Sequence, residues 1–229
     1  MKIKQLWNAL TTFERMLWLT SLLTVTAAFL LAPSKDYLTL TASLIGVTAL
    51  IFIAKGYVIG QVLTVIFAVF YGLVSFYLHY YGEMITYLGM TAPIAILTVI
   101  AWLRHPYKDS SEVAVNRLTK RRFLILLVLT AIVTIGFFFI LRALGNASLL
   151  FSTISVATSF LASALTLMRS EYYALAYAAN DIVLIVLWGL ATIGDIAYLP
   201  MVFCFLMFLL NDAYGFINWQ RMRKRQTRK

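Results

Sequence analysis

One carboxylate in this chain lies where a charge is costly. Asp181 follows Asn180 in an apolar stretch, with nine uncharged residues before it and thirteen after it. A carboxylate at the centre of a membrane helix costs roughly 2.5–3.5 kcal/mol on insertion scales, so a partner, water or a ligand must compensate it. No lysine or arginine lies inside the apolar stretches to pair with it. A ligand site is the functional interpretation, and hydrogen bonds from neighbouring Asn, Ser and Tyr side chains are the structural alternative.

Aromatic side chains recur on the helix face of this carboxylate. Tyr173, Tyr177, Asp181, Leu184 and Trp188 follow at intervals of four, four, three and four residues. That spacing places all five on one face of a helix. Aromatic rings beside a carboxylate suit a flat polar or cationic ligand. Contacts with lipid or with packed helices are the alternative for such a face.

Other apolar stretches carry further polar side chains. Gln61 and Thr64 lie one helical turn apart and can face the same cavity. Asn211 and Asp212 lie toward the cytoplasmic end of the last stretch, where interfacial anchoring is the alternative. The predicted substrate-binding residues are Gln61, Thr64, Tyr71, Tyr173, Tyr177, Asn180, Asp181, Trp188, Asn211 and Asp212.

Residues for covalent, metal or cofactor chemistry are scarce. His79 and His105 lie at the ends of apolar stretches, and Cys204 is the single cysteine. An enzyme needs a nucleophile with a base, or several metal ligands together. A G-x-x-x-x-G-K phosphate loop does not occur in the sequence,. We therefore predict no catalytic residues, no metal site and no cofactor.

Glu83 and Asp195 stand at helix starts, where a carboxylate complements the helix dipole.

The composition requires a lipid environment for these residues. Of 229 residues, 62% are apolar and 12% charged, and the mean hydropathy is +0.87. Soluble domains carry about 45–50% apolar and about 25% charged residues. The chain is therefore predicted to be an integral membrane protein. We expect it to contact membrane lipids. The sequence leaves open whether the protein forms a homo-oligomer.

Charged residues divide the sequence into eight apolar stretches of helix-spanning length. A membrane helix needs about 20 mostly apolar residues. The predicted fold class is all-α, with eight transmembrane helices in a 1+3+1+3 arrangement. The predicted segments are an N-terminal cytoplasmic segment (1–15), an extra helix (16–34), a first three-helix bundle (37–103), a cytoplasmic loop (104–122), a linker helix (123–141), a second three-helix bundle (147–220) and a basic cytoplasmic tail (221–229).

The distribution of basic residues predicts the orientation. With eight crossings and a cytoplasmic N-terminus, only Lys35 and Arg142 fall outside, which leaves 17 of the 19 basic residues on the inner side. Short inner loops of membrane proteins carry this excess of Lys and Arg. Both termini are therefore predicted to be cytoplasmic. The net charge of +10 is explained by orientation and lipid contact rather than by nucleic acid,.

Short motifs recur in the same order in the two halves. A basic turn, a Gly-acid pair and a Trp near an Arg occur twice, 112 to 117 residues apart. An odd number of linker spans between two three-helix units gives both units the same orientation. Parallel repeats of this kind build transporters that bind substrate between the repeats near the midplane. The paired positions are Lys55 with Arg169, Gly82-Glu83 with Gly194-Asp195, and Trp102 with Trp219.

These motifs together resemble a known family. Tyr-Tyr-Gly-Glu-Met at 80–84, Asn180-Asp181 and the segment from Asn211-Asp212 to Asn218-Trp219 are similar to the PnuC family of vitamin transporters. The resemblance covers roughly residues 37–221. It implies a seven-helix core of two three-helix bundles around a linker helix, a bacterial cytoplasmic membrane, and facilitated diffusion of nicotinamide riboside that intracellular phosphorylation traps.

One departure from the family pattern concerns the ligand. Family members that carry nicotinamide riboside tend to have Trp where this chain has Tyr172, Tyr173 and Tyr177. A stacking face is retained, but thiamine and then riboflavin remain alternative substrates. A carboxylate at Asp181 favours a cation, which the riboside and thiamine are and riboflavin is not. A proton-coupled transporter that uses Asp181 is a further alternative, and an enzyme or a non-transporting sensor is disfavoured.

Overall fold

Charged and turn-forming residues divide the apolar chain into eight helices. The computed structural model describes residues 7–33, 35–77, 80–108, 110–146 and 148–228. Each helix is long and apolar enough to cross a membrane, so the predicted all-α membrane fold with eight spans is confirmed. The helices are α1 (Thr12–Leu31), α2 (Tyr37–Ala54), α3 (Val58–Tyr77), α4 (Tyr81–Leu103), α5 (Lys120–Ala143), α6 (Leu149–Leu167), α7 (Tyr173–Gly194) and α8 (Leu199–Thr227).

Helix packing places α2, α3, α7 and α8 around a common core. Within each half, α2 packs on α3 and α3 on α4, while α6 packs on α7 and α7 on α8. Between the halves, α8 contacts α2 and α4 contacts α6. A Cβ atom on Gly46 would lie 2.3 Å from the Phe208 ring, so the close approach of α2 and α8 requires glycine there. Helix α5 packs on α6 and leaves most of its surface exposed.

The first helix begins at Thr12, four residues before its predicted start at 16, because the sequence caps it. The Thr11 side chain accepts from the Glu14 amide, and the Glu14 carboxylate accepts from the Thr11 amide, which is a capping box,. Glu14 is 1% exposed and also pairs with Lys55 at 3.2 Å and accepts from Tyr214 Oη at 2.6 Å. Helix α1 is therefore bound to α8 and to the end of α2. Residues 1–6 of the predicted N-terminal segment lie outside the described residues.

The last helix continues into the predicted basic tail. It runs to Thr227 because the loop after α4 packs on its end. Gln226 accepts from the Val115 amide at 2.8 Å and donates to the Val113 carbonyl at 3.1 Å. Arg223 forms a salt bridge with Glu171. The loop and the end of α8 thus form one packed layer on the side predicted to be cytoplasmic.

Matching turns follow α2 and α6. Gly56 and Arg169, 113 residues apart, both have left-handed backbones, with φ of 69° and 59°. In each turn the next amide donates to the carbonyl five residues before it, at 3.0 Å in both cases. This bond closes a helix whose end requires a left-handed residue. The same left-handed turn therefore ends the corresponding helix in both halves of the chain.

Two buried tryptophans bind these helix ends reciprocally. Trp102, at the end of α4, donates to the Thr166 carbonyl of α6 at 3.1 Å. Trp219 of α8 donates to the Ile53 carbonyl of α2 at 2.9 Å. Their ring centroids are 5.5 Å apart, and both side chains are at most 1% exposed. Each half of the chain therefore supplies a tryptophan that holds a helix end of the other half.

Candidate functional site

The predicted face of α7 points into the protein. Tyr173, Asp181, Leu184 and Trp188 are at most 2% exposed, and Tyr177 is half-buried. The side of α7 that carries these residues therefore faces α6 and α8, the helices packed on it. Lipid does not contact this face, so the alternative of a lipid-facing aromatic stripe is excluded for these four side chains.

Two carboxyl groups meet at the centre of the protein. Asp181 of α7 lies within hydrogen-bonding reach of Asp212 of α8, and each is 2% exposed. Asp181 Oδ2 has no hydrogen-bond partner. None of the three salt bridges among the described residues includes either aspartate. Adjacent buried carboxylates repel one another at low dielectric, so the arrangement favours a bound cation.

Asn180 is held by hydroxyl groups of α6. Its Oδ1 accepts from Thr158 at 2.8 Å, from Ser159 at 3.0 Å and from Ser155 at 3.4 Å. These hydroxyls therefore fix the orientation of the Asn180 amide on α7. The amide oxygen is fully used by α6, which leaves the amide nitrogen as the group that can serve a ligand.

Tyr71 and Trp188 join the two halves through a side-chain hydrogen bond. Trp188 Nε1 donates to Tyr71 Oη at 2.9 Å in a buried bond between α7 and α3. The Tyr71 ring also contacts Tyr87 of α4, with 4.3 Å between centroids. Trp188 packs against Tyr80 as well, at 4.7 Å. The two predicted site residues thus belong to one buried aromatic cluster, to which sequence reasoning had not assigned Tyr80 and Tyr87.

Tyr177 and Gln61 meet across the two halves. Tyr177 Oη and Ser163 Oγ are 3.1 Å apart, and the Tyr177 hydroxyl is close enough to Asp181 and Asp212 for their charges to act on it. Gln61 of α3 is 3% exposed and lines the same narrow gap as Tyr177. These residues therefore face each other where the halves meet.

Three of the predicted residues make other contacts. Tyr173 packs on Trp219 at 4.7 Å, near the helix ends. Thr64 donates back to the Gly60 carbonyl of its own helix at 3.0 Å. Asn211 donates to Ser21 of α1 at 2.9 Å, and its Oδ1 has no hydrogen-bond partner. The structure does not bring Thr64 or Asn211 to the acidic pair.

The two acids of the Gly-acid motif have different environments. Asp195 is exposed and accepts from the Ala197 amide at 2.9 Å, as a carboxylate at a helix start does. Glu83 is 1% exposed, and neither of its carboxylate oxygens has a hydrogen-bond partner. Glu83 does lie in the first turn of α4, as predicted, but no amide of that turn donates to it. Its position in the motif carried no signal of burial, since burial here depends on packing with α6.

Helix α4 is irregular next to Glu83. It contains a π-helical segment, Thr86–Thr91, followed by Pro93 in the first turn of the next α-helical part. Proline lacks the amide that would donate to the preceding turn, and π-segments are frequent at functional sites. The irregular segment carries Tyr87 of the aromatic cluster. His79, predicted at the end of α3, lies outside the described residues.

A buried acidic and aromatic cluster lies between two groups of membrane helices. This fold and site define the class of the protein, which is a carrier of small molecules across the membrane. A sequence profile of the nicotinamide mononucleotide transporter family matches residues 36–221. The chain belongs to this family.

Characterised relatives agree with this assignment. The nicotinamide riboside transporter PnuC of Neisseria mucosa is 28% identical, and the alignment covers 98% of this chain and 87% of that protein. The protein of the same name in Haemophilus influenzae is 25% identical, over 86% of this chain and 85% of its own length. The predicted resemblance to the PnuC family is confirmed.

A solved structure shares the fold. The crystal structure of the vitamin B3 transporter PnuC matches with a TM-score of 0.84 and 26% identity. The match covers 96% of this chain and 95% of that one. Both proteins therefore have the same arrangement of helices over nearly their whole length.

Proposed function

We propose that this chain imports nicotinamide riboside by facilitated diffusion. The observation that carries the proposal is the buried pair of Asp181 and Asp212, which has no basic partner among the described residues and lies near the hydroxyls of Tyr87 and Tyr177. Nicotinamide riboside is a flat aromatic cation. Its charge offsets the carboxylates, and its ring can stack on the neighbouring side chains.

The same site disfavours the phosphorylated substrate named in the family description. Nicotinamide mononucleotide adds a phosphate that carries up to two negative charges. A phosphate near two buried carboxylates is repelled, and none of the predicted site residues is a lysine or arginine that could bind it,. The riboside is therefore the better substrate of the two. Thiamine is also a cation and ranks next, and neutral riboflavin ranks last.

The contacts of the described residues support different roles for the predicted site residues. Asp181 and Asp212 offset the positive ring, and Tyr177, one helical turn from Asp181, stacks on it,. Asn180 presents its amide nitrogen, and Gln61 faces the gap at Tyr177 from the other half. Tyr71 fixes Trp188 through its hydrogen bond. Thr64 and Asn211 support the site through helix contacts, whereas Tyr173 packs on Trp219 and also lies near Asp212.

The arrangement proposed for transport is 1+3+1+3, with α2 to α4 and α6 to α8 as the two bundles. The matching turns 113 residues apart and the reciprocal tryptophan bonds support this division. Helix α5 is the linker, and α1 is the extra helix. Substrate access would alternate as one bundle rocks against the other, with both termini in the cytoplasm of a bacterium.

The driving force lies outside the chain. Phosphorylation of the riboside in the cell prevents its return, so the carrier itself catalyses no covalent reaction. A proton-coupled mechanism is the second candidate, and it is favoured by the contact between Asp181 and Asp212, because one proton can be shared between them,. The two mechanisms differ in their response to a proton gradient.

Uptake into proteoliposomes separates these mechanisms. Labelled riboside should equilibrate across vesicles that contain the purified protein, and an imposed pH gradient should not drive it above equilibrium. Riboside kinase and ATP sealed inside should raise retained label severalfold. Accumulation that requires the pH gradient and collapses with a protonophore would instead establish proton coupling.

A further inference from the structure

Glu83 is a buried acid that the proposed site does not yet use. Its side chain is 1% exposed, and both carboxylate oxygens lack a hydrogen-bond partner. The salt bridges among the described residues do not include it. A buried carboxyl group without hydrogen-bond partners destabilises a folded protein. The protein therefore keeps Glu83 at a cost to its stability, which is typical of a functional residue.

A helix-capping role does not explain this carboxylate. Glu83 lies in the first turn of α4, but no amide of that turn donates to it. Asp195 stands at the equivalent motif position in the second half and does accept such a bond. The two acids therefore have the same position in sequence and different functions.

The surroundings of Glu83 belong to the proposed site. Glu83 lies near the hydroxyls of Tyr71 and Tyr87, the paired rings of the aromatic cluster. Tyr87 is also within the influence of Asp181. Ser155 of α6 is a neighbouring hydroxyl that lies between Glu83 and Asn180, with 3.4 Å from its Oγ to Asn180 Oδ1. Glu83 of the first half and Asp181 of the second half thus both lie near Tyr87.

The two acidic positions differ in the ligand chemistry that they suit. Asp181 has a second carboxylate beside it, so negative charge is concentrated there for the cationic ring. Glu83 is a single carboxylate among hydroxyl groups, with two acceptor oxygens that lack donors. Adjacent hydroxyls on a sugar supply two donors at the spacing of one carboxylate.

We infer that Glu83 binds the ribose hydroxyls of the substrate and thereby selects nucleosides over free bases. This inference rests on the proposed function and adds a second recognition point to it. The ring is held at Asp181, and the sugar is held at Glu83 on the other half. Simultaneous contact with both halves would couple substrate binding to closure of the bundles.

The test compares Glu83→Gln with Asp195→Asn in purified protein. Binding is measured for nicotinamide riboside and for its 2′,3′-dideoxy analogue, which keeps the cationic ring and lacks the two hydroxyls. Glu83→Gln should weaken riboside binding roughly ten- to a hundredfold, since a hydrogen bond to a charged group contributes about 1.5–3 kcal/mol. The dideoxy analogue should bind the variant and the original protein equally, and Asp195→Asn should bind both ligands as the original protein does.

Thermal unfolding of the empty protein provides the second readout. Glu83→Gln removes an unpaired buried carboxylate, so the unfolding midpoint of the variant should be unchanged or higher. Loss of a structural contact would lower this midpoint. Riboside binding unchanged in Glu83→Gln, or weakened equally for the dideoxy analogue, would overturn the inference and leave the proposed function intact. Failure of the riboside to bind the original protein would overturn the proposed function itself.

Discussion

Asp181→Asn is expected to weaken riboside binding by roughly thirtyfold or more. Loss of one partner of a buried charge pair costs about 2–5 kcal/mol, and asparagine keeps the shape of the side chain while removing its charge. Isothermal titration of the purified protein measures this change. The empty variant should also unfold at the same or a higher temperature, because the repulsion from Asp212 is removed,.

The matched control for this variant is Asp195→Asn. Asp195 is exposed, lies on the same stretch of chain and loses the same charge, so its riboside affinity should equal that of the original protein. If Asp181→Asn binds the riboside normally, the acidic pair does not hold the cation. An unfolding midpoint far below that of the original protein would instead assign Asp181 a structural role.

Trp102→Ala and Trp219→Ala are each expected to lower the free energy of unfolding by roughly 3–5 kcal/mol. Each removes a fully buried indole and its bond to a helix-end carbonyl of the other half. Because the two rings are in contact, the double variant should lose less than the sum of the single changes,. Chemical denaturation in detergent measures these losses.

The control for the tryptophans is Phe139→Ala on α5. Phe139 is 61% exposed on the face available to lipid, so its removal should change stability little. Equal losses from Trp102 and Trp219 are expected because the two residues make equivalent contacts. A loss confined to one tryptophan would contradict the equivalence of the two halves.

The sequence predicted the elements that depend on local pattern. The helical spacing around Asp181 identified a face that is buried, and apolar length identified eight helices. Charged residues gave approximate helix ends, but capping decided the actual start of α1 at Thr12. Periodicity and composition therefore account for most of the fold and for the position of one acidic residue.

Contacts between distant segments could not be predicted in this way. Asn211 donates a hydrogen bond to Ser21, which is 190 residues away in the sequence. The Thr64 hydroxyl donates a hydrogen bond to the Gly60 carbonyl of its own helix. Glu83 and Asp195 occur in the same motif, yet only one is buried, because packing of α4 on α6 encloses the first. Tertiary packing rather than residue type separates these cases.

The most direct measurement is equilibrium binding of nicotinamide riboside to the purified protein, beside nicotinamide mononucleotide, thiamine and riboflavin. The account predicts that the riboside binds most tightly, that thiamine is weaker, and that the mononucleotide and riboflavin bind least. Tighter binding of the mononucleotide than of the riboside would contradict the central role of the buried carboxylates Asp181 and Asp212.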